Sequence, residues 1–152
     1  MKKILIDLDV ITVAFWDKNN EALKFLDRVK KGEFEVYTPY SLFDLVTQWK
    51  YIELRDKIIH FYNIHSSRII TINNVLEESE KRGLKTEKAT EELLKFHVKE
   101  EDAVLVIVTS LFNLDYLVTY NRTHLRNKIN IINKVLRKNE FGEIEIKTPS
   151  EI

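Results

Sequence analysis

The stretch Lys3-Ile4-Leu5-Ile6-Asp7-Leu8-Asp9-Val10 constrains the fold of this chain more than any other. Ile4, Leu5 and Ile6 form an apolar run without helical periodicity, and the carboxylate of Asp7 ends this run. A short run of Ile and Leu bounded by polar residues is typical of a strand buried on both faces of a parallel sheet. Open α/β sheets carry their chemistry at the carboxyl edge of the strands, so we expect Asp7 at that edge.

Length and composition predict one domain, residues 1–152, with a sizeable core. The charges of the 24 basic and 24 acidic residues cancel. This balance argues against a broad basic surface for binding nucleic acid but allows a local basic patch. The absence of Cys excludes disulfides, thiol catalysis and Cys-ligated zinc. No apolar run reaches the roughly 18 residues of a membrane span, so we expect a cytoplasmic protein without membrane contact. Few Gly and Pro, with abundant Lys, Glu and Ile, favour a heat-adapted source.

Apolar periodicity predicts alternating strands and helices along the rest of the chain. Further strands are expected at 34–39, 68–72, 116–120 and 144–146, and helices at 12–15, 20–30, across 41–62 as a pair, 73–82, 86–98, 103–112 and 129–136. Segment 103–112 is rich in β-branched residues, but its unbroken length favours a buried helix. Strand–helix–strand units make parallel sheets, so the order predicts a three-layer α/β/α sandwich with a five-stranded parallel sheet.

Three carboxylates, Asp7, Asp44 and Asp102, fall where connections return to the carboxyl edge of this sheet. Hard cations such as Mg²⁺ or Mn²⁺ need oxygen ligands, and a three-carboxylate cluster would supply them. Each residue has a structural alternative. Asp44 has the spacing of a helix capping box with Ser41, and Asp102 fits an N-cap. Asp7 is harder to explain structurally, because Asp is unfavourable in a strand and awkward to bury.

Five segments in order resemble the PIN domain family of ribonucleases, which includes the VapC-like toxins. They are ILIDLDV (4–10), YTPYSLFDL (37–45), EDA (101–103), LVTYNRTHL (117–125) and the terminal IKTP (146–149). The likeness covers nearly the whole chain. It implies the five-stranded parallel fold and an acidic pocket that binds Mg²⁺ or Mn²⁺. It also implies hydrolysis of RNA phosphodiesters by a metal-activated water.

By their positions in the matching segments, the resemblance implies that Asp7 and Asp102 are the main metal ligands. Asp44 stands in a place usually held by Glu, which is one methylene longer. Asn121 stands where the family commonly has a fourth acidic residue, and an amide oxygen can ligate a metal but adds no charge. Asp9 stands where the family often has Asn. We therefore hypothesise that Asp9 partly compensates for Asn121, so that four carboxylates converge.

Residues around these carboxylates are candidates for positioning the substrate. Thr12 and Thr119 could orient a ligand or a water, although such Thr side chains are more often structural. A local basic group beside the expected pocket consists of Arg122, His124, Arg126 and Lys128. It could contact an RNA backbone or form a solvated loop. The resemblance also implies a homodimer and, for toxin-type members, a small antitoxin partner.

Two other functions stay open at this stage. One is a non-catalytic PIN-like module that binds RNA or protein, which the residues at 44 and 121 favour. The other is a haloacid-dehalogenase-like phosphatase, because Asp7-Leu8-Asp9 is similar to the nucleophile loop of those enzymes. Against the phosphatase, Ile11 stands where Thr or Val is usual, and no Gly-Asp pair follows downstream.

Overall fold

The sheet has five strands, all parallel, and the computed structural model describes all 152 residues. The strands are β1 (Lys2–Ile6), β2 (Phe34–Pro39), β3 (Arg68–Ile70), β4 (Tyr116–Val118) and β5 (Ile146–Lys147). The helices are α1 (Leu8–Phe15), α2 (Asn20–Lys30), α3 (Tyr40–Thr47), α4 (Ile52–His65), α5 (Ile72–Arg82), α6 (Thr86–Lys95), α7 (Glu100–Leu111) and α8 (Ile129–Lys138). Short 3₁₀ turns at Arg126–Lys128 and Pro149–Glu151 complete the regular structure.

Strand β1 lies at the centre of the order β3-β2-β1-β4-β5. Its residues Ile4, Leu5 and Ile6 are fully buried, as a strand covered on both faces requires. Ile4 pairs with Val36 of β2 on one side and with Tyr116 of β4 on the other. The predicted five-stranded parallel α/β fold with helices on both faces is confirmed.

Helix α7 forms much of the core beside the sheet. From Asp102 to Leu111 all but one of its residues are buried, and it contacts β1, β2, β4, α5 and α6. The helix predicted at 103–112 is therefore confirmed despite its β-branched residues. A segment surrounded by other elements on all sides needs no polar face, so it shows no amphipathic period.

Several element boundaries differ from the sequence-based prediction, and local hydrogen bonds explain them. Helix α1 begins at Leu8 rather than at residue 12, because the Asp7 side chain caps it. Strand β3 stops at Ile70, because Thr71 forms a capping box that starts α5. The last strand moves from 144–146 to 146–147, since both backbone groups of Ile144 bond the Asn133 side chain instead. None of the helices combines the length and the apolar character needed to span a membrane.

Candidate functional site

Asp7 and Thr119 lie side by side at the carboxyl edge of the sheet. Asp7 follows β1 and Thr119 follows β4, and the Asp7 backbone N–H donates to the Val118 carbonyl at 2.9 Å. Because β1 and β4 are parallel neighbours, residues 112 apart in sequence leave the sheet at one point. This edge is the position predicted for Asp7.

The two carboxylate oxygens of Asp7 have different partners. Oδ1 accepts the Leu8 N–H at 2.7 Å and so caps α1. Oδ2 accepts the Thr119 hydroxyl at 2.8 Å. Oδ1 thus caps helix α1, and Oδ2 belongs to a polar cluster that plays no part in capping the helix.

Asp9 joins the same cluster from the first turn of α1. Its Oδ2 accepts the Tyr120 N–H at 3.1 Å and lies 3.2 Å from the Thr119 hydroxyl. A hydroxyl has one hydrogen, so Thr119 can donate to only one of the two carboxylates at a time. Thr119 is fully buried and also accepts the Asn121 N–H at 3.0 Å. Its hydroxyl therefore lies within hydrogen-bonding distance of both carboxylates and donates to one of them.

Asp102 enters the cluster from the first turn of α7. Its Oδ2 accepts the side-chain N–H of Asn121 at 3.3 Å. The Asn121 Oδ1 accepts the backbone N–H of His124 at 3.0 Å, which fixes which end of the amide faces Asp102. Asn121 thus presents an N–H group to the carboxylate and not a metal-binding oxygen. Asp102 is not the N-cap of α7, since Lys99 holds that place.

The three carboxylates resist ionisation. Burial raises the pKa of Asp7 to about 7, and the charges of Asp9 and Asp102 act in the same direction, against the Thr119 hydrogen bond. Burial also raises the pKa of Asp9 and of Asp102, although the His124 imidazole opposes the change at Asp102. No Lys or Arg forms an ion pair with any of them. A positive charge placed beside these carboxylates would stabilise their ionised forms.

The carboxylates open into a cavity of about 450 Å³. We name it the carboxylate cavity; its acidic lining consists of Asp7, Asp9, Glu101 and Asp102. Leu42, Leu45 and Trp49 contribute to its apolar wall. Glu101 was not predicted as a site residue. Its signal in the sequence is its place directly before Asp102, in the same helical turn.

The structure does not bring Asp44 to this cavity, which corrects the predicted meeting of residues 7, 44 and 102. Asp44 is exposed and lines a separate, smaller depression with Thr71 and Val104. Leu42 and Leu45 lie on the face of α3 that lines the carboxylate cavity. Asp44 is about 200° around the helix from Leu42, at 3.6 residues per turn. The capping box proposed for Asp44 is also absent, because α3 begins after Pro39 without a side-chain cap.

The remaining predicted residues lie at the rim. Thr12 lines the carboxylate cavity, but its hydroxyl donates to the Leu8 carbonyl at 3.0 Å within α1, which is a structural bond. Arg122 is exposed on the loop that follows β4. His124 is half-buried, and its Nδ1 has no hydrogen-bond partner.

The donor set has the chemistry of a site for a hard cation, but the side chains are not arranged as one. Carboxylate oxygens are the ligands that Mg²⁺ and Mn²⁺ prefer, and these lack cationic partners. No group of three or more His, Asp and Glu side chains converges closely enough to hold an ion. Asp7 and Asp9 instead face the N–H and O–H donors around Thr119. A metal at this edge therefore requires rotation of these side chains.

No protein-family model and no curated protein matches the sequence. A solved structure matches nearly the whole chain: VapBC2 from Rickettsia felis bound to a DNA fragment from their promoter. The TM-score is 0.54 over 96% of this chain and 98% of that chain, at 12% sequence identity. The two chains share a fold. At this identity the likeness extends to the fold alone, and it agrees with the PIN-like architecture predicted from the sequence.

Proposed function

We propose that the chain is a metal-dependent endoribonuclease of the PIN domain type. The observation that carries the proposal is the meeting of Asp7, Asp9 and Asp102 in one cavity without an ion-pair partner. Uncompensated buried carboxylates cost stability, and such sites are often functional. The resemblance of five sequence segments to the PIN family and the fold shared with VapBC2 support the same conclusion.

In this proposal Asp7, Asp9 and Asp102 would hold Mg²⁺ or Mn²⁺ at the carboxyl edge of the sheet after rotation of their side chains. The ion would supply charge neutralisation at the phosphate and a water of lowered pKa. Thr119 orients Asp7 and Asp9, and Asn121 orients Asp102. Asp9 is then the third carboxylate ligand, which is the role predicted for Asp44 from the sequence, and it also compensates for the missing charge at Asn121.

Basic residues beside the carboxylate cavity are suited to an RNA backbone. Arg122 is exposed directly after Asn121, and Lys99 precedes α7 close enough to lower the pKa of Asp102. Arg and Lys contacts to phosphate position a nucleic acid without reading its sequence. We assign these two residues and His124 to phosphate positioning.

The proposal extends to partners in the cytoplasm. The resemblance to VapC-like toxins, and a shared fold with a VapBC2 structure that contains promoter DNA, support a small antitoxin as partner. A homodimer is proposed on the resemblance alone. Co-expression with a small adjacent reading frame, followed by purification of a stoichiometric complex, tests the antitoxin.

The decisive experiment is cleavage of single-stranded RNA with added Mn²⁺. We expect cleavage that EDTA abolishes, and loss of cleavage in Asp7→Asn and Asp102→Asn with the fold intact by circular dichroism. Asp44→Asn is the matched control, because the same chemical change falls on an exposed side chain outside the cavity. Cleavage that survives Asp7→Asn, or that is lost only in Asp44→Asn, contradicts the proposed site.

A second candidate is a non-catalytic PIN-like module that binds RNA or protein. Its support is the orientation of Asn121, which turns an N–H toward Asp102, together with the displacement of Asp44. Both leave fewer acidic ligands than the resemblance implies. This alternative predicts RNA binding without cleavage at any Mn²⁺ concentration, so the same experiment separates the two.

A further inference from the structure

An aromatic groove opens beside the carboxylate cavity. It has a volume of about 420 Å³ and is lined by Thr12, Trp16, Trp49, Lys50, Tyr51 and Leu54. Thr12 and Trp49 also line the carboxylate cavity. The two hollows therefore adjoin each other and share a wall.

The outer part of this groove exposes two large aromatic side chains. Trp16 is 57% exposed and Tyr51 is 65% exposed. Their ring centroids lie 5.2 Å apart with an interplanar angle of 56°, so the rings are tilted and do not cover each other. Aromatic rings are usually packed for the large area that they bury. Two adjacent exposed rings offer a surface on which a flat apolar ring can stack.

Helix α1 connects this surface to the carboxylates. Asp9, Thr12 and Trp16 follow one another at spacings of three and four, so they lie on one face of the helix. Residues 9 and 16 are about 10 Å apart along the axis, at 1.5 Å per residue. Stacked nucleotides rise by about 3.4 Å each, so a strand at the carboxylates reaches the groove within about three nucleotides.

The charges around the groove suit a nucleic-acid strand. Lys50 lines the groove, and Lys57 lines the depression that continues it past Tyr51, where Glu53 is the acidic residue. Neither lysine forms an ion pair. Aromatic rings with flanking free cations are the combination that single-strand binders use, with bases on the rings and phosphates on the lysines.

We propose that the aromatic groove binds an unpaired nucleobase of single-stranded RNA, stacked on the Trp16 ring with its edge toward Tyr51. The base belongs to a nucleotide a few positions from the phosphate at the carboxylates. The inference rests on the proposed ribonuclease function. It gives the single-stranded substrate of that proposal a physical basis, because a base in a duplex has no free face to stack.

Binding is measured by fluorescence anisotropy of a labelled short oligoadenylate. All variants are made in the Asp7→Asn background and studied in EDTA, so that the oligonucleotide stays intact. We expect Trp16→Ala to weaken binding about 5- to 150-fold, the range for loss of one stacked base. Trp16→Phe keeps an aromatic face and retains most of the affinity. Phe96→Ala, an exposed aromatic outside the groove, is the matched control and leaves affinity unchanged.

A second measurement leaves the protein unaltered. The chain has two tryptophans, and both line the groove, so a base stacked there quenches the tryptophan fluorescence. An abasic nucleotide is placed at each position of the oligonucleotide in turn. We expect one position at which the abasic nucleotide weakens binding and reduces quenching, and no quenching by a duplex of the same sequence.

The outcomes separate this inference from the proposed function. Equal RNA affinity with and without Trp16→Ala in the Asp7→Asn background, together with Mn²⁺-dependent cleavage by wild type, overturns the groove and leaves the ribonuclease standing. Loss of affinity in Trp16→Ala without any Mn²⁺-dependent cleavage by wild type supports the groove and refutes the ribonuclease. Unchanged RNA affinity with loss of binding to a co-expressed antitoxin makes the groove a protein-binding surface, which also overturns the inference.

Discussion

Replacing Asp7 by Asn tests the electrostatics of the site directly. The pKa of Asp7 is raised from 3.8 to about 7, chiefly because the carboxylate is only 8% exposed and has Asp9 beside it. Between pH 3.8 and about pH 7, the Asp7 carboxyl is mostly deprotonated in the unfolded chain and mostly protonated in the folded chain. Stability without metal is therefore highest below the unfolded pKa and falls as pH rises toward about 7.

The magnitude follows from the same values. Each pKa unit corresponds to 1.36 kcal/mol, so the full cost of burying the charge approaches about 4 kcal/mol. Asn has nearly the same shape, and its oxygen can still cap α1 at Leu8, but it never carries the charge. We expect Asp7→Asn to be more stable than wild type, with an advantage that grows by about 2–3 kcal/mol between about pH 5 and about pH 8.

The assay is urea denaturation followed by far-UV circular dichroism, in EDTA, at both pH values. Asp44→Asn is the control, because this side chain is exposed and its neutralisation relieves no burial. The reasoning is refuted if the difference in free energy of unfolding between Asp7→Asn and wild type is equal at the two pH values. It is also refuted if Asp7→Asn is less stable than wild type at the higher pH. Either result would mean that the carboxylate is solvated or paired in the folded protein.

Three further predictions address the site and the core. Thr119→Val keeps the volume but removes the buried hydroxyl that serves Asp7 and Asp9, so we expect a loss of about 1–3 kcal/mol in urea denaturation, larger at high pH, where the acceptors are charged. Equal losses at low and high pH would contradict it. Mn²⁺ should raise the Tm of the wild type and leave that of Asp7→Asn unchanged, measured by thermal denaturation, since binding to the folded state alone stabilises it. An equal rise in both proteins would place the ion elsewhere. Leu5→Ala removes a fully buried side chain from the central strand, so we expect a loss of about 2–5 kcal/mol and a lower urea midpoint. A loss well under this range would mean that β1 is less tightly packed than the structure has it.

The sequence alone determined the architecture, because local patterns carry that information. The apolar run at residues 4–6 is short and has no helical period, which favours a buried strand, and the ten residues 103–112 contain no turn signal, which favours a buried helix. The positions of Asp7 and Asp102 follow from these elements, since one ends a central strand and the other begins the buried helix. Their neighbourhood was therefore predictable without coordinates.

Tertiary packing decided which other side chains share the cavity. The rotation of α3 about its axis is set by the burial of Leu42 and Val46, and that rotation turns Asp44 away. Parallel pairing of β1 with β4 brings Thr119 between Asp7 and Asp9, a contact that no local pattern contains. Spacing along a chain specifies which residues share a face of one element, but only the packing of several elements specifies where that face points.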